Sequence, residues 1–198
     1  MNIREINIIQ LADKMFDRYG IRSVSVDDIC RELRLSKKTF YKIIPNKEAL
    51  VANVLDYRAQ KSYQKFKKMG EGRNAIDTMV MIIKEIKKDP EDVKSPFHYD
   101  LEKYYPDILA KHQEKKTEEM RAGFEQNLRQ GIEEGYYRED LDVELSALFH
   151  AVILKDSFAS LKDCAPKIKA RRLGDFYIDI IVRLISNEKG LKYIEKHT

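Results

Sequence analysis

The chain of 198 residues contains no tryptophan, only two cysteines, four histidines and five prolines, and each shortage removes a class of protein. Cys30 and Cys164 lie far apart, so a disulfide-stapled framework is excluded. Cys30 falls in an apolar-periodic stretch and reads as a small core residue. The histidines are His98, His112, His150 and His197, and no two have the spacing of metal ligands on one helix. No nucleophile elbow and no phosphate-binding glycine loop occurs. No catalysis, metal or cofactor is therefore expected. His98, between Phe97 and Tyr99, reads as a core or pocket-wall residue. No apolar run approaches the ~18 residues of a membrane span; the longest, residues 78–83, is followed at once by Lys84 and Glu85. The first ten residues carry Arg4 and Glu5 and lack the apolar segment of a signal peptide. These features lead us to expect a cytoplasmic protein with no membrane partner. Strand alternation, internal repeats and low-complexity tracts are absent.

What the chain does have is charge, unevenly placed. The net charge is +4. Residues 1–47 hold ten Lys/Arg and six Asp/Glu, and the remainder holds 27 of each sign. The whole excess therefore sits in the first quarter. Between Arg34 and Lys47 there are five basic residues and no acid. A basic cluster confined to one small subdomain is what phosphate neutralisation requires.

The apolar spacing is helical nearly throughout, predicting an all-α chain of about nine helices. Ile8, Ile9, Ala12, Met15, Phe16 and Tyr19 line one face of a first helix, which Gly20 stops. Ser25-Val26-Asp27-Asp28 is a start signal: the serine oxygen caps a free backbone N–H, and the aspartates favour the positive helix end. The helix it opens, residues 26–33, is short. Three residues later Ser36 is placed to cap another short helix, residues 37–44, ended by Pro45. Asn46 caps a long helix expected over residues 47–68. Further helices are expected at residues 74–88, 106–134, 143–161 and 168–187, with a short aromatic segment at residues 97–105.

Two eight-residue helices joined by three residues are not stable alone. They need a third to pack on, and residues 8–19 supply it. In a helix-turn-helix, such a unit holds its last helix out at a fixed angle so that the helix N-terminus meets base edges in the major groove of DNA. The chemistry fits. Lys37 and Lys38, in the first turn, can donate to guanine or phosphate. Thr39 offers a hydroxyl and a methyl. Tyr41 and Lys42, a turn on, can meet the backbone. Ser25 and Lys47 open flanking helices, whose free N–H groups suit phosphate. Phe40 and Ile44, four apart, should point inward.

Residues 20–50, GIRSVSVDDICRELRLSKKTFYKIIPNKEAL, resemble the DNA-binding domain of the TetR family of regulators. The resemblance is carried by Gly20, Ser25, Ile29-Cys30, Ser36-Lys37-Lys38-Thr39-Phe40-Tyr41 and Ile44-Pro45-Asn46-Lys47-Glu48-Ala49-Leu50. It implies that Ser25, Ser36, Lys37, Lys38, Thr39, Tyr41, Lys42 and Lys47 contact DNA, with Tyr41 and Lys47 on phosphates. Arg34 stands where the family has glycine, and if it keeps a positive φ it costs on the order of 1 kcal/mol. Lys38 also replaces a glycine, and Ile44 a phenylalanine. The resemblance implies a DNA-binding domain at residues 1–49 and a ligand-binding and dimerisation domain at residues 50–198. The expected activity is a ligand-responsive repressor acting as a homodimer on a palindromic double-stranded DNA operator, nucleoid-associated when bound. The last two helices are apolar on more sides than one core needs, as a dimer interface would be. A pocket for an unknown small-molecule effector is expected among Met79, Ile83, Phe97, His98, Tyr104, Phe124 and Phe149. The alternative is a helix-turn-helix protein regulated by a protein partner instead.

Overall fold

The computed structural model describes residues 2–86, 95–154, 168 and 170–197. Ten helices are found among them: α1 (Ile3–Tyr19), α2 (Val26–Glu32), α3 (Lys37–Ile43), α4 (Lys47–Gly70), α5 (Ala75–Ile86), α6 (Pro96–Tyr104), α7 (Pro106–Glu133), α8 (Val143–Val152), α9 (Ala170–Ile185) and α10 (Glu188–His197). The protein is all-α; among the described residues the one extended pairing is an isolated antiparallel bridge between Tyr137 and Ser186. No helix of the described residues is long and apolar enough to cross a membrane. Cys164, the Asp89-Pro90 stop, and the stretch beyond Leu154 expected to continue α8 lie outside the described residues.

The chain divides into two compact units: residues 1–63 with 92–115, and residues 64–91 with 116–198. The division falls within α4 and α7. In the first unit, α1 begins five residues earlier than its apolar face suggests, because the Asn2 side chain accepts the Glu5 N–H at 2.8 Å and so caps the helix. It ends at Gly20, whose φ of +83° few other residues adopt. Ile8, Ile9, Ala12 and Phe16 are buried, while Tyr19, expected on the same face, is half exposed. Ser25 and Asp28 form a reciprocal capping box at the start of α2. The α2–α3 turn is a Schellman motif: Leu35 N–H donates to Cys30 O (2.9 Å) and Arg34 N–H to Arg31 O (3.2 Å). Arg34 fills its left-handed position at φ 53°. Cys30 is a buried free thiol.

Helix α6 also belongs to this unit. Phe97 is fully buried and stacks on Phe16, ring centroids 6.3 Å apart. The Arg58 guanidinium lies 4.2 Å over the Phe97 ring, bonds Asp13, and reaches Asp17 at 3.1 Å. Thus α4 and α6 close the core of Ile21, Val24, Ile29, Phe40, Ile44, Leu50 and Val54.

The second unit has its own core, with Ala75, Ile76, Met79, Phe124, Leu128, Ala147, Ile181 and Ile185 around Tyr137. Tyr137 follows the turn at Gly135 and folds back on α7, where a Cβ at Gly131 would stand 2.0 Å from its ring. Its phenol donates to Asn127 Oδ1 (3.1 Å), and Asn127 in turn holds Ala75 O (2.9 Å). Burial pushes the Tyr137 pKa well up. The helix expected at residues 168–187 is found as α9, and a tenth helix, α10, follows it. Helix α9 stops at Ile185, and Asn187 then caps α10, taking the Gly190 N–H at 3.0 Å while its amide donates to Gly135 O and Tyr137 O. The start signal, Asn187-Glu188, is readable in sequence but is masked by the unbroken polar spacing around it.

Candidate nucleic-acid interface

Helix α3 is seven residues long and anchored from one side. Phe40 within it and Ile44 at its C-cap are fully buried, and Ile43 packs partly against the same core. Ser36 starts it: its hydroxyl accepts the Thr39 N–H at 3.1 Å and lies 2.8 Å from Thr39 Oγ1. Lys37, Lys38, Tyr41 and Lys42 are exposed, with Thr39 intermediate. The Tyr41 ring stands edge-on to Phe40 at 5.4 Å, which aims its half-exposed phenol outward. Lys38 and Lys42 make no ion pair among the described residues.

Two lysines expected on DNA are tied to the protein. Lys37 Nζ bonds Asp27 Oδ1 at 2.8 Å, linking α3 to the first turn of α2, and that hydrogen bond raises the Lys37 pKa. Lys47, at the start of α4, donates from Nζ to Val24 O at 2.6 Å. Burial there pushes its pKa below the usual lysine value, with the Asp100 carboxylate acting against the shift. An ammonium has three N–H donors, so the Val24 bond leaves Lys47 two more. Ser25 is exposed, and its hydroxyl and backbone N–H both donate to Asp28 Oδ2; these bonds lower the Asp28 pKa.

The residues expected to line one effector pocket fall in different units. Phe97, His98 and Tyr104 are in the first. Phe97 is core, His98 is exposed with Nδ1 3.1 Å from Ser95 Oγ, and the Tyr104 hydroxyl accepts from Arg22 at 2.9 Å. Met79, Phe124 and Phe149 are in the second. Met79 and Phe124 are core, but Phe149 stands half exposed on α8. The Ile83 side chain lies outside the described residues. Beside Phe124 is His150, which stacks on it at 3.9 Å with Nδ1 2.7 Å from the Tyr177 hydroxyl. Burial lowers the His150 pKa to about 4. No group of three or more His, Cys, Asp or Glu among the described residues is arranged to hold a metal ion.

Sequence reasoning missed Asp100 and Arg22. Asp100 is buried and accepts the Arg22 backbone N–H at 2.8 Å. The available signal was an acid in core register, three residues after Phe97 and one before Leu101.

Residues 8–54 match the family model described as bacterial regulatory proteins, tetR family. Over those residues the chain is similar to the DNA-binding domain of the TetR family. The matched stretch contains α2, α3 and all eight residues above. The uncharacterised helix-turn-helix regulator YuxN of Bacillus subtilis is 40% identical over 63 residues, 32% of this chain and 22% of that protein. Against YuxN, then, the aligned part covers less than a quarter of the relative's length. The transcriptional repressor KstR2 of Mycobacterium tuberculosis is 23% identical over 194 residues, 95% of this chain and 96% of that one. Among solved structures, a transcriptional regulator of Cytophaga hutchinsonii superposes with a TM-score of 0.73 at 16% identity, covering 94% of this chain and 100% of that one. The TetR fold thus extends well beyond the matched domain.

Proposed function

We propose that this protein is a ligand-responsive TetR-family repressor that binds a palindromic operator as a homodimer, acting in the cytoplasm on the nucleoid. The observation that carries the DNA-binding mode is α3. Its inner face is locked by Phe40 and Ile44 while Lys38, Tyr41 and Lys42 point out with nothing of the described chain covering them. In this reading Ser36, Lys37, Lys38 and Thr39 meet base edges and phosphates at the mouth of the major groove. Ser25, Tyr41, Lys42 and Lys47 hold the backbone. Lys37 then exchanges its Asp27 partner for DNA.

Dimerisation is supported by two exposed apolar stripes. Leu145, Leu148, Phe149 and Val152 recur at helical spacing along α8, and Phe176, Ile180 and Leu184 along α9. Seven large side chains left 41–65% exposed are more than a soluble surface ordinarily carries. Pairing both helices with a second copy would cover them and set two copies of α3 about 34–36 Å apart, one turn of B-DNA. This makes Phe149 part of the subunit contact rather than of a pocket wall. The functional division stays at residues 1–49 and 50–198. The effector site is placed in the second unit near Met79 and Phe124, and repression is carried over from KstR2. A ligand acts by favouring a state whose α3 helices are wrongly spaced, and needs only differential affinity for the two states.

Selection of binding sites from random duplexes tests this. An inverted repeat with half-sites one helical turn apart, bound by two chains, is the expected outcome. A purified sample indifferent to every duplex even at very low ionic strength refutes the reading.

A further inference from the structure

The α1–α2 turn is shaped around a carboxylate from a helix 78 residues further along the chain. Asp100 is the only charged side chain buried among the described residues, and it sits between the fully packed Phe97 and Leu101 of α6. Its Oδ2 accepts the Arg22 N–H at 2.8 Å. The same oxygen lies 2.8 Å from the point where a Cβ on Gly20 would stand, so only glycine at that position, at φ +83°, leaves the carboxylate room. The Arg22 side chain is held by the same helix: its guanidinium donates to the Tyr104 hydroxyl at 2.9 Å and lies 4.5 Å over that ring. Two residues on from Arg22, the Val24 carbonyl holds Lys47; one further, Ser25 caps α2, whose Asp27 holds Lys37.

We infer that Asp100 is a positioning residue of the DNA grip. It contacts no DNA; it seats the turn at residues 20–25, and through that turn sets where Lys47, α2 and α3 stand. The inference rests on the proposed DNA-binding role of those residues. It has a sign that bulk electrostatics does not share. An acid beside a polyanion repels it, so charge alone predicts that removing Asp100 tightens binding. Loss of a positioning contact predicts the opposite.

The test uses the full chain and a mixed-sequence duplex of about 30 base pairs at low ionic strength, where backbone contacts dominate. Asp100→Ala is expected to weaken binding by about fivefold or more, the equivalent of one net hydrogen bond, with the folded fraction unchanged. Asp100→Asn, which keeps the acceptor and loses the charge, restores wild-type affinity or exceeds it. In parallel, the Arg22 amide exchanges its hydrogen slowly in the wild type and in Asp100→Asn. If Asp100→Ala binds as tightly as the wild type, or Asp100→Asn is as weak as Asp100→Ala, the inference is overturned. Exchange of the wild-type Arg22 amide at the rate of an open loop overturns it as well, whether or not Asp100→Ala folds. A wild type that binds no duplex at all instead overturns the proposed function.

Discussion

Replacing Arg34 by glycine separates stability from DNA binding at one residue. Arg34 holds the left-handed position of the α2–α3 Schellman turn at φ 53°, with its N–H bonded to Arg31 O and the following N–H to Cys30 O. An L-residue there costs roughly 1–2 kcal/mol. Glycine removes that strain but brings about 0.5–1 kcal/mol of extra freedom to the unfolded chain. The net expectation for Arg34→Gly is a gain on the order of 0.5–1 kcal/mol. Arg34→Ala, which keeps the Cβ and likewise lacks the guanidinium, is the control and should gain nothing. In urea, with a slope of about 2 kcal/mol per molar, the glycine variant's midpoint should rise by roughly 0.25–0.5 M at unchanged slope. If Arg34 also meets a phosphate, the same variant loses DNA affinity, and its salt slope falls by about 0.9. Equal midpoints for the glycine and alanine variants would falsify the strain argument, since they differ only in the Cβ.

Phe176→Asp places a charge on the exposed stripe of α9 and should leave the chain monomeric in sedimentation and weak on DNA; a persisting dimer would place the subunit contact elsewhere. Lys38→Ala should change which sequences are selected, whereas Lys47→Ala should weaken all duplexes alike; a changed preference in the latter would remove Lys47 from the backbone contacts. Gly131→Ala, whose Cβ would meet the Tyr137 ring at 2.0 Å, should destabilise the second unit by about 2–3 kcal/mol in denaturant titration. His150 is held neutral, its pKa lowered to about 4 from the usual 6.5. The unfolded chain therefore binds the extra proton between those values. Stability is full above about pH 6.5 and falls towards pH 4, by on the order of 3 kcal/mol in all. His150→Gln should flatten that decline, and parallel curves for the two proteins would rule the histidine out as its source.

The helix-turn-helix was legible because its signals are local. Ser25 with Asp28, Ser36 before Lys37, and Phe40 four residues before Ile44 each depend on neighbours within one turn, and the structure places each as its spacing implies. What escaped is long-range. The aromatic run of α6 looks like pocket lining, yet Phe97 packs on Phe16, and only the folded chain brings Asp100 to Arg22. The Lys47–Val24 bond spans 23 residues and has no sequence signature. Helix α10 was missed for a different reason: the end of α9 near Asn187 is legible, but the new start after it rests on one asparagine side chain and its three hydrogen bonds, with no glycine or proline among Ile185-Ser186-Asn187 to mark it.

The cations around α3 form two groups, and the difference bears on how the protein meets DNA. Lys38 and Lys42 are free to sample rotamers and must be ordered on binding, at a loss of up to about 1.5–2 kcal/mol of side-chain entropy each. Lys37 and Lys47 are already placed, one by Asp27 and one by Val24. The Asp27 pair is more than half exposed on both sides, so it holds Lys37 only weakly and yields to a phosphate. The Val24 bond is half-buried and uses one of three N–H donors, so Lys47 need not leave it to donate to a phosphate. In the proposed binding mode Lys47 is therefore the preorganised contact and should hold the register of the protein on the duplex. In that mode sequence discrimination falls to Lys38 and Thr39, whose final geometry the DNA itself selects, while Lys42 is ordered on the backbone.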